Sequence, residues 1–182
     1  MIDTTDPELL LQIAAPIVAI AFLIAWYGYA PSWIKGPRAT FWNPLRRALL
    51  PALDRLLAGK VGGYAAYELD NSEFVGTIVG SIEDVEALLY EEGYERMPLA
   101  ALKSLEDGRV EQASWAHRDA AFDRKQTHVM LFEGTGGVDV FAHREPSAIH
   151  PATAHAHYRG RGYDVDAGVE HVREQLGDRL VF

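Results

Sequence analysis

Five of the seven histidines fall within the last 40 residues: His143, His150, His155, His157 and His171. His155 and His157 are separated by a single Ala. Alternate residues of a strand project from one face, so an extended His-Ala-His segment would offer two imidazole nitrogens to one ion. His143 or His150 would supply a third ligand, and Glu145, Asp164 or Asp166 a carboxylate. Neutral imidazole with carboxylate suits zinc, iron, nickel or manganese better than calcium. Three ligands and an open position would activate a water for hydrolysis. The opposing reading starts from the same residues. The segment Pro151 to Tyr158 begins with Pro and is rich in Ala, which favours a helix, and side chains two apart on a helix diverge. The histidines would then have polar or structural roles, and no cofactor is expected.

Other chemistry finds little support. With no Cys, a disulfide framework, a thiolate metal site and a Cys nucleophile are excluded together. Gly134-Thr135-Gly136-Gly137 is followed by strand-like residues and so reads as a hairpin turn, not a phosphate cradle. Gly76-Thr77-Ile78-Val79-Gly80 has no following Lys and is no P-loop. No Ser sits in a Gly-x-Ser-x-Gly elbow.

The elements that must position these residues can be read from turn chemistry and periodicity. Thr127 to Glu133 and Val138 to His143 form the clearest strand pair, with Val138, Val140 and Ala142 on one face and Asp139, Phe141 and His143 on the other. Ser81 with Asp84 three residues on predicts a capping box for a helix whose buried stripe is Ile82, Val85 and Leu89 and which Gly93 stops. A final helix is expected from about Val165 to Leu176, capped by Asp164 or Asp166, with Val165, Val169, Val172 and Leu176 inside and His171 off that face. Tyr64 to Leu69 and Phe74 to Val79 predict a hairpin about Asp70 to Glu73. Pro98 to Leu105 reads as a short helix and Arg109 to His117 as a strand. Asn43 resembles an N-cap with Pro44 at the first helical position, opening a Leu-striped segment kinked at Pro51. Because strands and helices do not alternate regularly, the expected fold class is α+β, a small, mainly antiparallel sheet with helices on one face.

Ahead of this domain runs a 22-residue stretch, Leu9 to Ala30, without Asp, Glu, Lys or Arg. As a helix it would span about 33 Å, enough for the roughly 30 Å hydrocarbon core of a bilayer. Trp26, Tyr27, Tyr29 and Trp33 crowd its distal end, where amphipathic rings prefer the headgroup level. Asp3, Asp6 and Glu8 precede it, while Lys35, Arg38, Arg46 and Arg47 follow. The positive-inside bias then places the N-terminus outside and the rest in the cytoplasm. A secretory signal peptide fits less well, since it needs a basic start and a shorter apolar core. The expected parse is a single-pass anchor in the cell membrane over 1–34, a juxtamembrane linker and amphipathic helix over 35–62, and a cytoplasmic α+β domain over 63–182. Whether the Leu stripe of residues 44–58 meets lipid or the domain is open at this point.

The formal net charge is -9, and from Ala48 onward 23 acidic residues face 13 basic ones. Such a field repels nucleic acid, which is not an expected partner. Abundant acids, four Lys against thirteen Arg and no Cys resemble the composition of proteins from salt-loving archaea. Val79-Gly80-Ser81 before a helix, Gly93-Tyr94 at its end, a strand containing His128, and Tyr163-Asp164-Val165-Asp166-Ala167 leading into a terminal amphipathic helix resemble the C-terminal domain of LssY-type proteins. That likeness covers residues 74–176, with Tyr94 where the family typically has Trp. The family is linked to membrane proteins of bacteria and archaea, and the resemblance implies no catalytic residue. The functional expectation is a membrane-anchored binding or accessory module, touching lipid through residues 9–30 and a protein partner through the domain. The alternative is a metal-binding protein or metal-dependent hydrolase built on His143, His150, His155 and His157 with a divalent transition metal.

Overall fold

The Gly-rich turn closes a long hairpin, in a computed structural model that describes residues 36–57, 66–98, 100–120 and 123–182. Strands β6 (Lys125–Gly134) and β7 (Gly137–Pro146) pair antiparallel along their whole length, with Gly134 opposite Gly137 and Thr135-Gly136 as the two-residue loop. Gly137 has φ +146°, and a Cβ there would lie 2.3 Å from the Ile78 carbonyl oxygen, so only glycine fits between the turn and the neighbouring strand. Around this hairpin stand β5 (Ala113–His117), β3 (Glu95–Arg96), β2 (Phe74–Ile78) and β8 (Leu180–Val181). Together they form a six-stranded antiparallel sheet in the order β3-β5-β6-β7-β2-β8. The fold is therefore α+β with a mainly antiparallel sheet, as the sequence pattern predicts.

Alternation along the strands gives the sheet two different faces. Val129, Leu131, Val138, Val140, Ala142, Ala113 and Trp115 form an apolar face. Helix α2 (Ile82–Glu91) lays Val85 and Leu89 on it, and helix α4 (Val165–Leu176) adds Val169, Val172 and Leu176. At roughly 1.5–3 kcal/mol for each such side chain fully buried, this layer contributes strongly to the drive to fold. Both helices start as the sequence foretells. Ser81 and Asp84 make a reciprocal capping box on α2, and the Asp164 carboxylate accepts from the Ala167 N–H at the head of α4.

On the opposite face Met130, Phe132 and Phe141 pack with Leu69 and Leu105, but towards the far end the residues become polar: Ser114, Gln126, His128, His143 and Glu145, all buried. Strand β1 (Ala66–Glu68) pairs in parallel with β4 (Leu102–Ser104) as a separate two-stranded sheet, and β4 brings Lys103 to this side. Helix α1 (Trp42–Leu57) lies against β1 and β4, and α3 (Ala154–Tyr158) against β7.

Three local expectations are corrected. No hairpin joins residues 66–68 to β2. Asp70 caps a 3-10 turn at Asn71–Glu73, and β1 leaves for β4, each residue pairing with one 36 positions downstream. The segment around residues 102–104 is a strand, not a helix, because β1 offers it an edge to pair with. Asn43 lies inside α1 rather than capping it. Its side chain instead donates to Glu86 and accepts from Arg96, a buried tertiary use that outweighs the local one. The described leucines of the 44–58 stripe, Leu45 and Leu49, stay exposed, and the helix packs on the domain through its opposite face. Asn43, Arg46 and Leu50 are buried, and Arg46 reaches the Ala100 and Ala101 carbonyls and Glu111. The expected membrane segment, residues 9–30, lies outside the described residues. Among those described, no helix is long and apolar enough to cross a membrane.

Candidate metal centre

The hairpin register creates the site. Counting outward from the Gly134–Gly137 pair places His128 directly across from His143 and Gln126 across from Glu145, all on the polar face. The ring of His128 meets that of His143 edge-on at 5.2 Å. Glu145, two residues beyond His143 on the same strand face, inserts its carboxylate between them. His128 Nδ1 stands 3.3 Å from one carboxylate oxygen and His143 Nε2 3.5 Å from the other. All three side chains are at most 3% exposed. Among the described residues this is the one group of His, Asp and Glu whose potential ligand atoms lie within 4.8 Å of one another.

Each group is held from behind. His143 Nδ1 is 2.6 Å from a Glu73 oxygen at the 3-10 turn, so the carboxylate fixes the ring from the side away from Glu145. His128 Nε2 is 2.6 Å from Ser114 Oγ on β5 and 3.4 Å from Lys103 Nζ. Gln126 donates to Glu145 at 2.7 Å and accepts from Arg118. The inward nitrogens, His128 Nδ1 and His143 Nε2, are buried and face the shared Glu145 carboxylate without hydrogen-bond geometry. A proton or a metal ion can bridge such a nitrogen to the carboxylate. An imidazole whose outer nitrogen is tied to a carboxylate while its inner one points at a shared centre has the arrangement of a metal ligand with its supporting shell.

The expected histidines divide. His143 is central. His157, on α3, brings Nδ1 to 3.1 Å from the second Glu145 oxygen and 3.1 Å from the Pro146 carbonyl, at the rim of the group. The structure does not bring His150 or His155 there. His150 Nδ1 accepts from the Ala152 N–H, and His155 is exposed. The reason is that residues 154–158 are helical, so His155 and His157 diverge. Of the three candidate carboxylates, Glu145 joins the group, whereas Asp164 caps α4 and Asp166 is exposed.

His128, Glu73, Ser114 and Lys103 escape a search by sequence proximity, since they come from four separate segments. His128 alone had a readable signal, its position opposite His143 across a two-residue turn.

Charge is balanced by pairing. Behind His128, the buried Glu111 carboxylate binds Arg46 at 3.1 Å and accepts from the Lys103 backbone N–H. Burial pushes Glu111 up, but Arg46 and Lys103 bring it below the ordinary carboxylate range. Lys103 is lowered by burial despite Glu111. Burial, with Lys103 beside it, lowers His128 to about 3, so it is neutral. Burial also works against a charged His143, but the Glu145 and Glu73 carboxylates outweigh it and raise the group to about 9. Burial alone would raise Glu145, yet the three imidazoles around it hold it well below its usual value. Without an ion, the inner group is thus a carboxylate beside a protonated His143 and a neutral His128.

Ser114, His128 and Glu145 also stand in the order of a nucleophile, base and orienting acid. Ser114 is 1% exposed in the middle of β5, however, so no substrate reaches its hydroxyl in this conformation. The partly exposed side chains beside the group are His157, Glu73 and Tyr163, whose ring lies 4.7 Å from that of His143.

Compared with protein-family models, with curated proteins and with solved structures, the chain finds no match in any of the three.

Proposed function

We propose that this is a membrane-tethered protein whose α+β domain binds one divalent transition metal through His128 Nδ1, His143 Nε2 and the Glu145 carboxylate, with His157 holding that carboxylate from the rim. The observation that carries the reading is the pair of buried imidazole nitrogens that converge on one shared carboxylate, each ring backed by a second partner. Two imidazoles and a carboxylate suit zinc, iron, nickel or manganese. Enclosure of the three inner ligands favours a tightly held ion over a rapidly exchanging one. The tether is residues 9–30, and the charges flanking it favour a cytoplasmic domain in the cell membrane.

The test is metal titration of the full chain, purified in detergent without a polyhistidine tag, by calorimetry and elemental analysis with zinc and cobalt. About one equivalent is expected to bind, and His128→Ala or His143→Ala to abolish binding. Glu73→Gln should weaken it about 10- to 100-fold through loss of outer support. His150→Ala and His155→Ala should leave it unchanged. Less than about a tenth of an equivalent, unaltered by excess metal, would refute the proposal, given the affinities usual for such sites.

A further inference from the structure

Helix α1 has a second side. While Asn43, Arg46 and Leu50 are buried, Leu45 and Leu49 are 45% and 46% exposed, and Phe41, in the turn just before the helix, is 52% exposed. These three recur every four residues, and Ala48 and Ala52, also exposed, fall among them on a helical projection. The result is an apolar row, bordered by the exposed Arg38 and Arg55, that the described part of the domain does not cover.

We infer that this row lies on the surface of an anionic bilayer and fixes how the domain faces the membrane. This rests on the tether reading above. Two features select lipid as the occupant. First, residues 35–62 carry Lys35, Arg38, Arg46, Arg47, Arg55 and Lys60 against Asp54 alone, in a chain whose net charge is -9. Arg46 is spent on Glu111 and Arg47 on Gln112, which leaves the flanking charges for headgroups. Second, the apolar run ends at Ala30 and α1 begins at Trp42, so a chain held in the bilayer delivers this helix next to its surface. Half-exposed Phe and Leu beside Arg are the side chains that an interfacial helix inserts.

The absence of Cys allows single labels in the full chain. Environment-sensitive fluorophores are placed at Leu45→Cys, Leu49→Cys and, as a control, Arg161→Cys, an exposed loop position at the other end of the sheet. The proteins are reconstituted in phosphatidylcholine vesicles with or without phosphatidylglycerol and probed with a lipid-borne nitroxide and with aqueous iodide. In anionic vesicles positions 45 and 49 should be quenched from the lipid and shielded from iodide, and position 161 the reverse. Changing Arg38 and Arg55 to Gln should lower the docked-to-free ratio about fivefold per charge. Labels at 45 and 49 as open to iodide as that at 161 overturn the inference, as does lipid contact indifferent to phosphatidylglycerol. Shielding without lipid quenching, in vesicles and detergent alike, also overturns it and points to a protein cover. Failure of the chain to float with vesicles overturns the tether reading itself, whereas flotation with iodide-open labels removes only the α1 contact.

Discussion

His128 and His143 face each other across one rung of a hairpin, yet burial and neighbours drive them in opposite directions, down to about 3 and up to about 9. The consequence for the metal-free protein can be signed. His143 gains a proton-dependent stabilisation that is complete below the ordinary histidine value near 6.5 and is lost as pH rises through about 9. His128 must stay neutral, so the unfolded chain takes up the proton first as pH falls below about 6.5, and stability declines from there towards pH 3. Urea midpoints measured with chelator present should therefore peak near pH 6.5 and fall on both sides. His143→Gln should flatten the alkaline fall specifically. A midpoint constant from pH 6.5 to 9.5 in the parent chain would contradict the pairing of His143 with Glu145 and Glu73.

The rigidity behind that rung comes from how α4 meets β7. A Cβ on Gly168 would lie 2.3 Å from the carbonyl carbon and Cα of His143 and 2.4 Å from the Arg144 nitrogen, all backbone atoms that have no rotamer to yield. A mid-helix glycine costs about 1 kcal/mol of helix propensity relative to Ala, and here close packing on the ligand strand accounts for it. Gly168→Ala, which propensity alone would call stabilising, should instead destabilise by about 2–4 kcal/mol as the helix is forced off the strand, seen as a lower urea midpoint. It should also weaken metal binding, because His143 sits on the displaced backbone. A neutral or stabilised variant would show that the α4–β7 contact is looser than described.

The whole molecule is dominated by its acid excess, -9 overall. The buried Arg96–Glu86 and Arg46–Glu111 pairs are internally neutralised, so the excess belongs to the exposed surface. Self-repulsion of that surface is screened once the Debye length falls to about 3 Å near 1 M salt. Thermal midpoint and solubility should accordingly rise from dilute buffer to molar potassium chloride, and a melting temperature that is flat or falling over that range would contradict it. The same field leaves the basic segment 35–62 as a local exception, which is why the membrane contact inferred for α1 should respond to anionic lipid while the rest of the surface does not.

Local chemistry was readable wherever neighbours in sequence settle the structure. The α2 capping box, the α4 stripe and the Gly134–Gly137 turn are set within a few residues, and from them follow the α+β class and the face on which His143 lies. Contacts between distant segments were not readable. β1 chose β4 over its neighbour β2, and Asn43 left a capping role for Glu86 and Arg96, because long-range pairing outweighed local preference. The histidine cluster itself shows the division. The sequence by itself determined that imidazoles and Glu145 were concentrated near the C-terminus. Only the tertiary structure set aside His150 and His155 and joined His143 and Glu145 to His128, Glu73, Ser114 and Lys103, since a shared centre depends on strand register and sheet face rather than on proximity along the chain.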